Sequence, residues 1–154
     1  MSAVVPATFK LISLQNPVFA CYVNWTVLLL LKTMFLSIYT AYVRLKKQTF
    51  ANPEDGPDGR RNVRFNDDDV ERVRRAHRND LENLFPGIII GFLYVLVDPP
   101  TLSTCVLFRA AATARIIHTY VYVKAVPQPA RVLCFSTYFM CTVYMAVAIL
   151  MRVM

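Results

Sequence analysis

Residues 70–82 read VERVRRAHRNDLE, a run of four arginines, one histidine, one asparagine and three acids. Arginine offers a planar, permanently charged fork that grips carboxylates and phosphates through two hydrogen bonds, and a carboxylate among arginines can take an ammonium group. At about 100° per residue, Arg72, Arg75, Arg78, Asn79 and Glu82 fall within about a third of a helix circumference and make one polar face. Directly after Glu82 the chain turns apolar, as LFPGIIIGFLYVLV. That face therefore sits where a membrane helix meets water, or continues inside a helix bundle, because burying so much charge without partners is prohibitive. Two readings fit it: a solvated juxtamembrane helix whose basic residues touch lipid phosphates, and an anion-binding site.

The elements that must carry these residues follow from composition. The chain has 154 residues, 56% of them hydrophobic, and a formal charge of +7. Segregation reconciles the two: residues 18–43, 84–97, 102–126 and 132–149 are apolar, while nine of the ten acids lie between Glu54 and Glu82. A bilayer core of about 30 Å needs about 20 helical residues. The second apolar stretch is short, but it continues the amphipathic segment 68–83 as one long helix. The expectation is an all-α integral membrane protein, a four-helix bundle forming a single domain over 1–154, with spans near 18–43, 68–97, 102–126 and 131–152 and a polar connection at 44–67. Lysines and arginines number ten from Arg44 to Arg78, none in the DPPTLST loop, and two, Lys124 and Arg131, around the third connection. The first and third loops should then face the cytoplasm and the termini the lumen. The first span is expected to be an uncleaved anchor, since no basic flank and small-residue cleavage site mark it as a signal peptide.

Several chemistries are excluded. The sequon at Asn24, Trp25 and Thr26 falls inside the first span, out of reach of glycosylation. Cys21, Cys105, Cys134 and Cys141 lie in spans without paired spacing and read as small packing residues. Two distant histidines and no CxxC argue against a metal. No phosphate-binding glycine loop or nucleophile elbow is present. The alternation of arginines with acids, leading into lipid, argues against nucleic acid.

Polar residues inside the other spans narrow the anion reading, since each is costly unless paired or hydrated. Arg115, His118 and Tyr122 share one face of the third span, with Arg109 about 120° away. Lys32 and Arg109 read as snorkelling or bundle-pairing residues. Arg131 opens the fourth span, held at the boundary by Pro127 and Pro129. Arg44, Arg75, Arg78, Asn79, Glu82, His118, Tyr122 and Arg131 are thus expected near one membrane depth on the cytoplasmic side. Several arginines beside one glutamate and one asparagine suit a small flexible molecule with two carboxylates and an ammonium. Glutathione fits, and a cation near its sulfur would favour the thiolate.

The strings YVRLKKQTFANPED, ERVRRAHRNDLEN, ARIIHTYVY and PQPAR resemble, in order and spacing, the membrane-associated proteins in eicosanoid and glutathione metabolism (MAPEG), over about residues 30–150. The resemblance implies a homotrimer of four-helix subunits in the endoplasmic reticulum membrane, with the outer mitochondrial membrane as a further compartment. It places glutathione between neighbouring subunits near the cytoplasmic face. Glutathione contacts carry over to Arg44, Arg75, Arg78, Asn79, Glu82, His118, Tyr122 and Arg131, with Arg131 as the catalytic thiolate stabiliser. His77 is added, although its helical phase points it away from the shared face, and Asp55 is a candidate proton-transfer group.

Within the family, Arg109 in LFRAAATAR and the PQP turn resemble the glutathione-transferase branch. In the prostaglandin-forming branch tyrosines stand where this chain has Met34 and Phe135. Gly56 occupies the position of a cysteine through which thiol reagents activate some members, so no such activation is expected. The implied activity is conjugation of glutathione to lipophilic electrophiles, with peroxidase action on lipid hydroperoxides. The alternatives are a glutathione-dependent prostaglandin E synthase or other eicosanoid-forming enzyme, and a non-catalytic membrane regulator.

Overall fold

In the computed structural model, which describes residues 7–154, four long helices follow one short one. These are α1 (Ala7–Leu11), α2 (Pro17–Lys47), α3 (Asp68–Leu96), α4 (Thr101–Val123) and α5 (Ala130–Val153). α1 was not anticipated from the sequence. Helix starts are set locally. Asn16 accepts from the Val18 N–H at 3.0 Å, with Pro17 preorganising the first turn of α2. Asp67 accepts from the N–H groups of Asp69 and Val70 at 3.1 Å each, and Asp68, Asp69 and Glu71 place negative charge at the positive end of α3. α2 stops at Gln48, which adopts the left-handed conformation at φ 50, and the Thr49 N–H turns back to the Arg44 carbonyl at 3.0 Å.

α3 is the long helix expected across the polar-to-apolar boundary, and it runs through Pro86 without a break. Proline removes one backbone donor from the ladder. Nearby, the Tyr138 hydroxyl of α5 donates to the Asn83 carbonyl at 3.2 Å, and Gly87 makes room for it: a Cβ there would lie 1.8 Å from that oxygen.

The helices pack α2 on α3 and α4, α4 on α5, and α3 on α4 and α5. Leu29, Leu84, Ala111, Ala112 and Tyr138 form one buried cluster, and Val18, Tyr94, Val95, Phe108 and Met145 another. The outward faces are just as apolar. Leu31, Phe35 and Ile38 on α2 are 55–68% exposed, and Leu133, Met140 and Met151 on α5 are 61–79% exposed. Charge lies inside instead, at Asp80 and Arg115, both fully buried. An apolar exterior around polar interior groups is the pattern of a membrane protein. Two helices, α2 and α5, are long and apolar enough to cross a bilayer.

The polar connection is more ordered than its composition suggests. Phe50 and Val63 form a parallel bridge, with the Phe50 N–H on the Asn62 carbonyl at 2.9 Å and the Arg64 N–H on the Phe50 carbonyl at 3.0 Å. Short 3₁₀ turns occupy Pro53–Asp55 and Gly59–Asn62. Gly56 lies over the Phe50 ring, where a Cβ would come within 2.6 Å of a ring carbon. Lys47 pairs with Asp69, and with Asp67 at 3.7 Å, tying the end of α2 to the start of α3. The hydrogen bond between them holds Asp69 below the ordinary carboxylate range and Lys47 above the ordinary lysine value.

Candidate functional site

The expected residues form two grooves on different sides of α3. In the first, Asn79 of α3, His118 and Tyr122 of α4, and Arg131 and Phe135 of α5 line a cavity of about 260 Å³, with Gln128 at its edge. The His118 and Tyr122 rings meet edge to face at 5.7 Å, and the Arg131 guanidinium lies over the Tyr122 ring at 5.0 Å. This contact holds Arg131 against α4 while its charge stays directed at the cavity. Its buried Nε has no hydrogen-bond partner among the described residues.

The second groove, about 400 Å³, lies between α2 and α3 and is lined by Arg44, Arg74, His77 and Arg78 with Thr40 and Leu81. His77, expected to point away from the shared face, lines this groove together with Arg78 of that face, because the face divides between the two grooves. Between the two grooves by helical phase, Arg75 and Glu82 stand exposed on α3. Among the described residues, Arg44, Arg75, Arg78, Arg131 and Glu82 have no ion-pair partner. One copy of the chain therefore presents two grooves and an exposed charged ridge rather than one closed pocket. Asp55 lies in the connection, exposed, and accepts from the Asn52 side chain at 3.0 Å.

Behind Asn79 is a cluster that the sequence reading passed over. Asp80 is fully buried, 2.6 Å from Lys32 Nζ of α2 and 2.6 Å from an Arg115 terminal nitrogen of α4. Thr119 donates to the same carboxylate at 3.1 Å, and Lys32 donates to Thr119 at 2.8 Å. Arg115 also donates to the Asn79 side-chain oxygen at 3.0 Å and its backbone carbonyl at 3.1 Å, and lies over the Tyr138 ring at 5.2 Å. The bundle-pairing reading of Lys32 is thereby realised; Arg109, by contrast, is exposed along a groove between α4 and α5. A signal for the cluster did exist. Asp80 lies on the stripe of Val73, Ala76, Leu84 and Gly87, and a carboxylate on a core stripe demands a cation from an apolar span.

Helix-borne arginines line two open cavities of an all-helical protein with an apolar exterior. The MAPEG family model matches residues 22–151, and the chain belongs to the MAPEG family. It is 45% identical over 144 residues to the microsomal glutathione S-transferase 1 of Bos taurus, covering 89% of this chain and 92% of that one. The Homo sapiens protein of the same name is 41% identical over 143 residues, with the same coverage. Prostaglandin E synthase of Macaca fascicularis is 34% identical over 125 residues, covering 78% of this chain and 80% of that one.

Proposed function

We propose that the protein is a membrane-bound glutathione transferase that joins the glutathione thiolate to lipophilic electrophiles. The observation that carries this reading is a set of charged residues without ion-pair partners among the described residues, Arg44, Arg75, Arg78, Arg131 and Glu82, spread over the two grooves and the ridge between them in a chain of this family. The arginines take the two carboxylates of glutathione in bidentate pairs and Glu82 takes its ammonium. Arg131, fixed over Tyr122, stabilises the thiolate. The thiolate attacks the electrophilic carbon, a sulfur–carbon bond forms, and the leaving group departs with the bonding pair. With a lipid hydroperoxide the same thiolate attacks oxygen, and a second glutathione completes the reduction to alcohol and disulfide. Asp55 is the proton-transfer group offered by the connection. The protein supplies orientation and charge rather than a covalent intermediate.

The working form is a homotrimer of four-helix, four-span subunits in the endoplasmic reticulum membrane, with the 44–67 connection and the site on the cytoplasmic side. The division of the site supports this. Cavities that bury a small ligand run from roughly 300 to 1,000 Å³, and the groove with Arg131 is smaller than that. The Arg44–His77–Arg78 groove of one subunit closes on the Arg75–Glu82 ridge and the Arg131 cavity of its neighbour, with electrophiles arriving from the bilayer. Phe135 beside Arg131 gives that cavity an apolar wall where the prostaglandin-forming branch has a hydroxyl, which favours the transferase over that alternative.

Subunit mixing tests the arrangement. Arg44→Ala and Arg131→Ala trimers are each expected to lose most conjugating activity. A mixed trimer regains one intact site, because one neighbouring pair combines a sound Arg44 with a sound Arg131. A site contained within one subunit predicts no regain.

A further inference from the structure

One carboxylate balances one cation, yet Asp80 is shared by two, so Lys32, Asp80 and Arg115 hold a surplus positive charge among the helices. Such a charge is costly unless an anion or water answers it. Two donors of the fully buried Arg115, Nε and one terminal nitrogen, have no hydrogen-bond partner among the described residues. A role confined to holding the helices together needs neither the surplus charge nor the idle donors.

The bonds Arg115 does make have a direction. A guanidinium only donates, so its contact with the Asn79 side-chain oxygen at 3.0 Å fixes which half of that amide faces the core. The amide nitrogen is thereby left without a partner toward Arg115, and Asn79 also lines the cavity with His118, Tyr122 and Arg131. Lys32 sits in the same cluster but spends its donors on Asp80, Thr119 and the Arg115 carbonyl, and makes no hydrogen bond to Asn79. The charged and titratable groups around Arg115 are Lys32 from α2, Asp80 from α3, His118 from α4 and Tyr138 from α5, with Arg131 beyond Tyr122.

We propose that Arg115 is a positioning residue for the glutathione thiolate, acting through Asn79: it aims the Asn79 amide N–H into the cavity. The inference rests on the glutathione reading above. Arg115 touches no substrate, and its effect passes through an amide that charge-assisted bonding to the guanidinium both orients and polarises.

The test is the pH midpoint at which bound glutathione ionises, followed by thiolate ultraviolet absorbance on the detergent-solubilised full chain, alongside equilibrium glutathione binding. Arg115→Met leaves Lys32 and Asp80 as a balanced pair. It should raise the midpoint by about one pH unit, a tenfold loss in the ionisation constant. Asn79→Ala should raise it comparably, and the double variant no further than Asn79→Ala alone, since the two act in series. Arg115→Lys keeps the cluster's charge and so guards against failure to fold; it too should raise the midpoint, because the shorter lysine side chain falls short of the position from which one terminal nitrogen of Arg115 bonds Asp80 and both Asn79 oxygens. Lys32→Met removes a cation from the same cluster and should move the midpoint much less. Equal shifts from Lys32→Met and Arg115→Met, or an unchanged midpoint in Arg115→Met and Arg115→Lys with glutathione bound, overturn the inference and leave the transferase reading standing. A wild-type protein that binds no glutathione overturns both.

Discussion

Asp80 is the residue on which the interior should depend most. Its two cations each lie 2.6 Å away, nitrogen to oxygen, Arg115 fully buried like Asp80 and Lys32 13% exposed. At charge separations near 4 Å and an effective dielectric of 20, each attraction is about 4 kcal/mol. Asp80→Asn removes both and leaves two buried ammonium and guanidinium charges facing each other. It recovers only the desolvation cost of the carboxylate, so the net loss should match the roughly 3–5 kcal/mol of other broken buried pairs. Lys32→Met loses one attraction of about 4 kcal/mol but recovers a comparable ammonium desolvation cost and relieves repulsion from Arg115, so its net effect should be near zero. At about 2–4 °C per kcal/mol for a chain of this size, Asp80→Asn should lower Tm by roughly 6–20 °C and Lys32→Met by less than about 4 °C. The single tryptophan, Trp25, packs against Leu29, Leu84 and Ala111 and reports the transition by fluorescence in detergent. Equal shifts for the two variants would refute the charge accounting, since each removes one member of the same salt bridge.

Two further outcomes follow from local geometry. Gly87→Ala should cost about 1–3 kcal/mol, because the new Cβ falls 1.8 Å from the Tyr138 oxygen and drives that ring from beneath Arg115; thermal unfolding checks it, and combining it with Tyr138→Phe should restore only part of the loss, since the ring carbon Cζ still lies 2.8 Å from that Cβ. In the connection, Asp69 is held low by Lys47, so their tie is fully present above the ordinary carboxylate range and is lost as pH falls through the lowered Asp69 value. Because Lys47 is held high, the tie is also lost as pH rises through the raised lysine value. Hydrogen exchange of residues 47–55, corrected for intrinsic rates, should therefore quicken at both extremes, while Tm hardly moves because both groups are exposed and screened.

Much of the fold was legible because bilayer length and helical period are strong local constraints. The apolar runs became α2, α4 and α5, and the crossing of VERVRRAHRNDLE into LFPGIII became the single helix α3. Spacing on α4 put His118 and Tyr122 on one face, and they share a cavity with Arg131, whereas helical phase set His77 apart from a face whose Arg78 it in fact joins. The reading failed where contacts are long-range. Lys32, Asp80 and Arg115 come from three helices, and nothing within any one of them reveals which cation meets which acid. The bridge between Phe50 and Val63 was equally invisible, since Asn, Asp, Gly and Pro signal turns without saying what closes them. The expected gathering of the arginines at one depth did not become one pocket, because a single copy holds them in two grooves on different sides of α3.

The most direct measurement of the central claim is glutathione-dependent conjugation of chlorodinitrobenzene by the purified protein in detergent, with Arg131→Ala beside it. Turnover is expected in the wild type, with a loss of about 10²–10³-fold in the variant at unchanged oligomeric state. Undiminished turnover in Arg131→Ala would remove that residue from the mechanism, and no turnover in a wild type that binds glutathione tightly would contradict the transferase assignment itself.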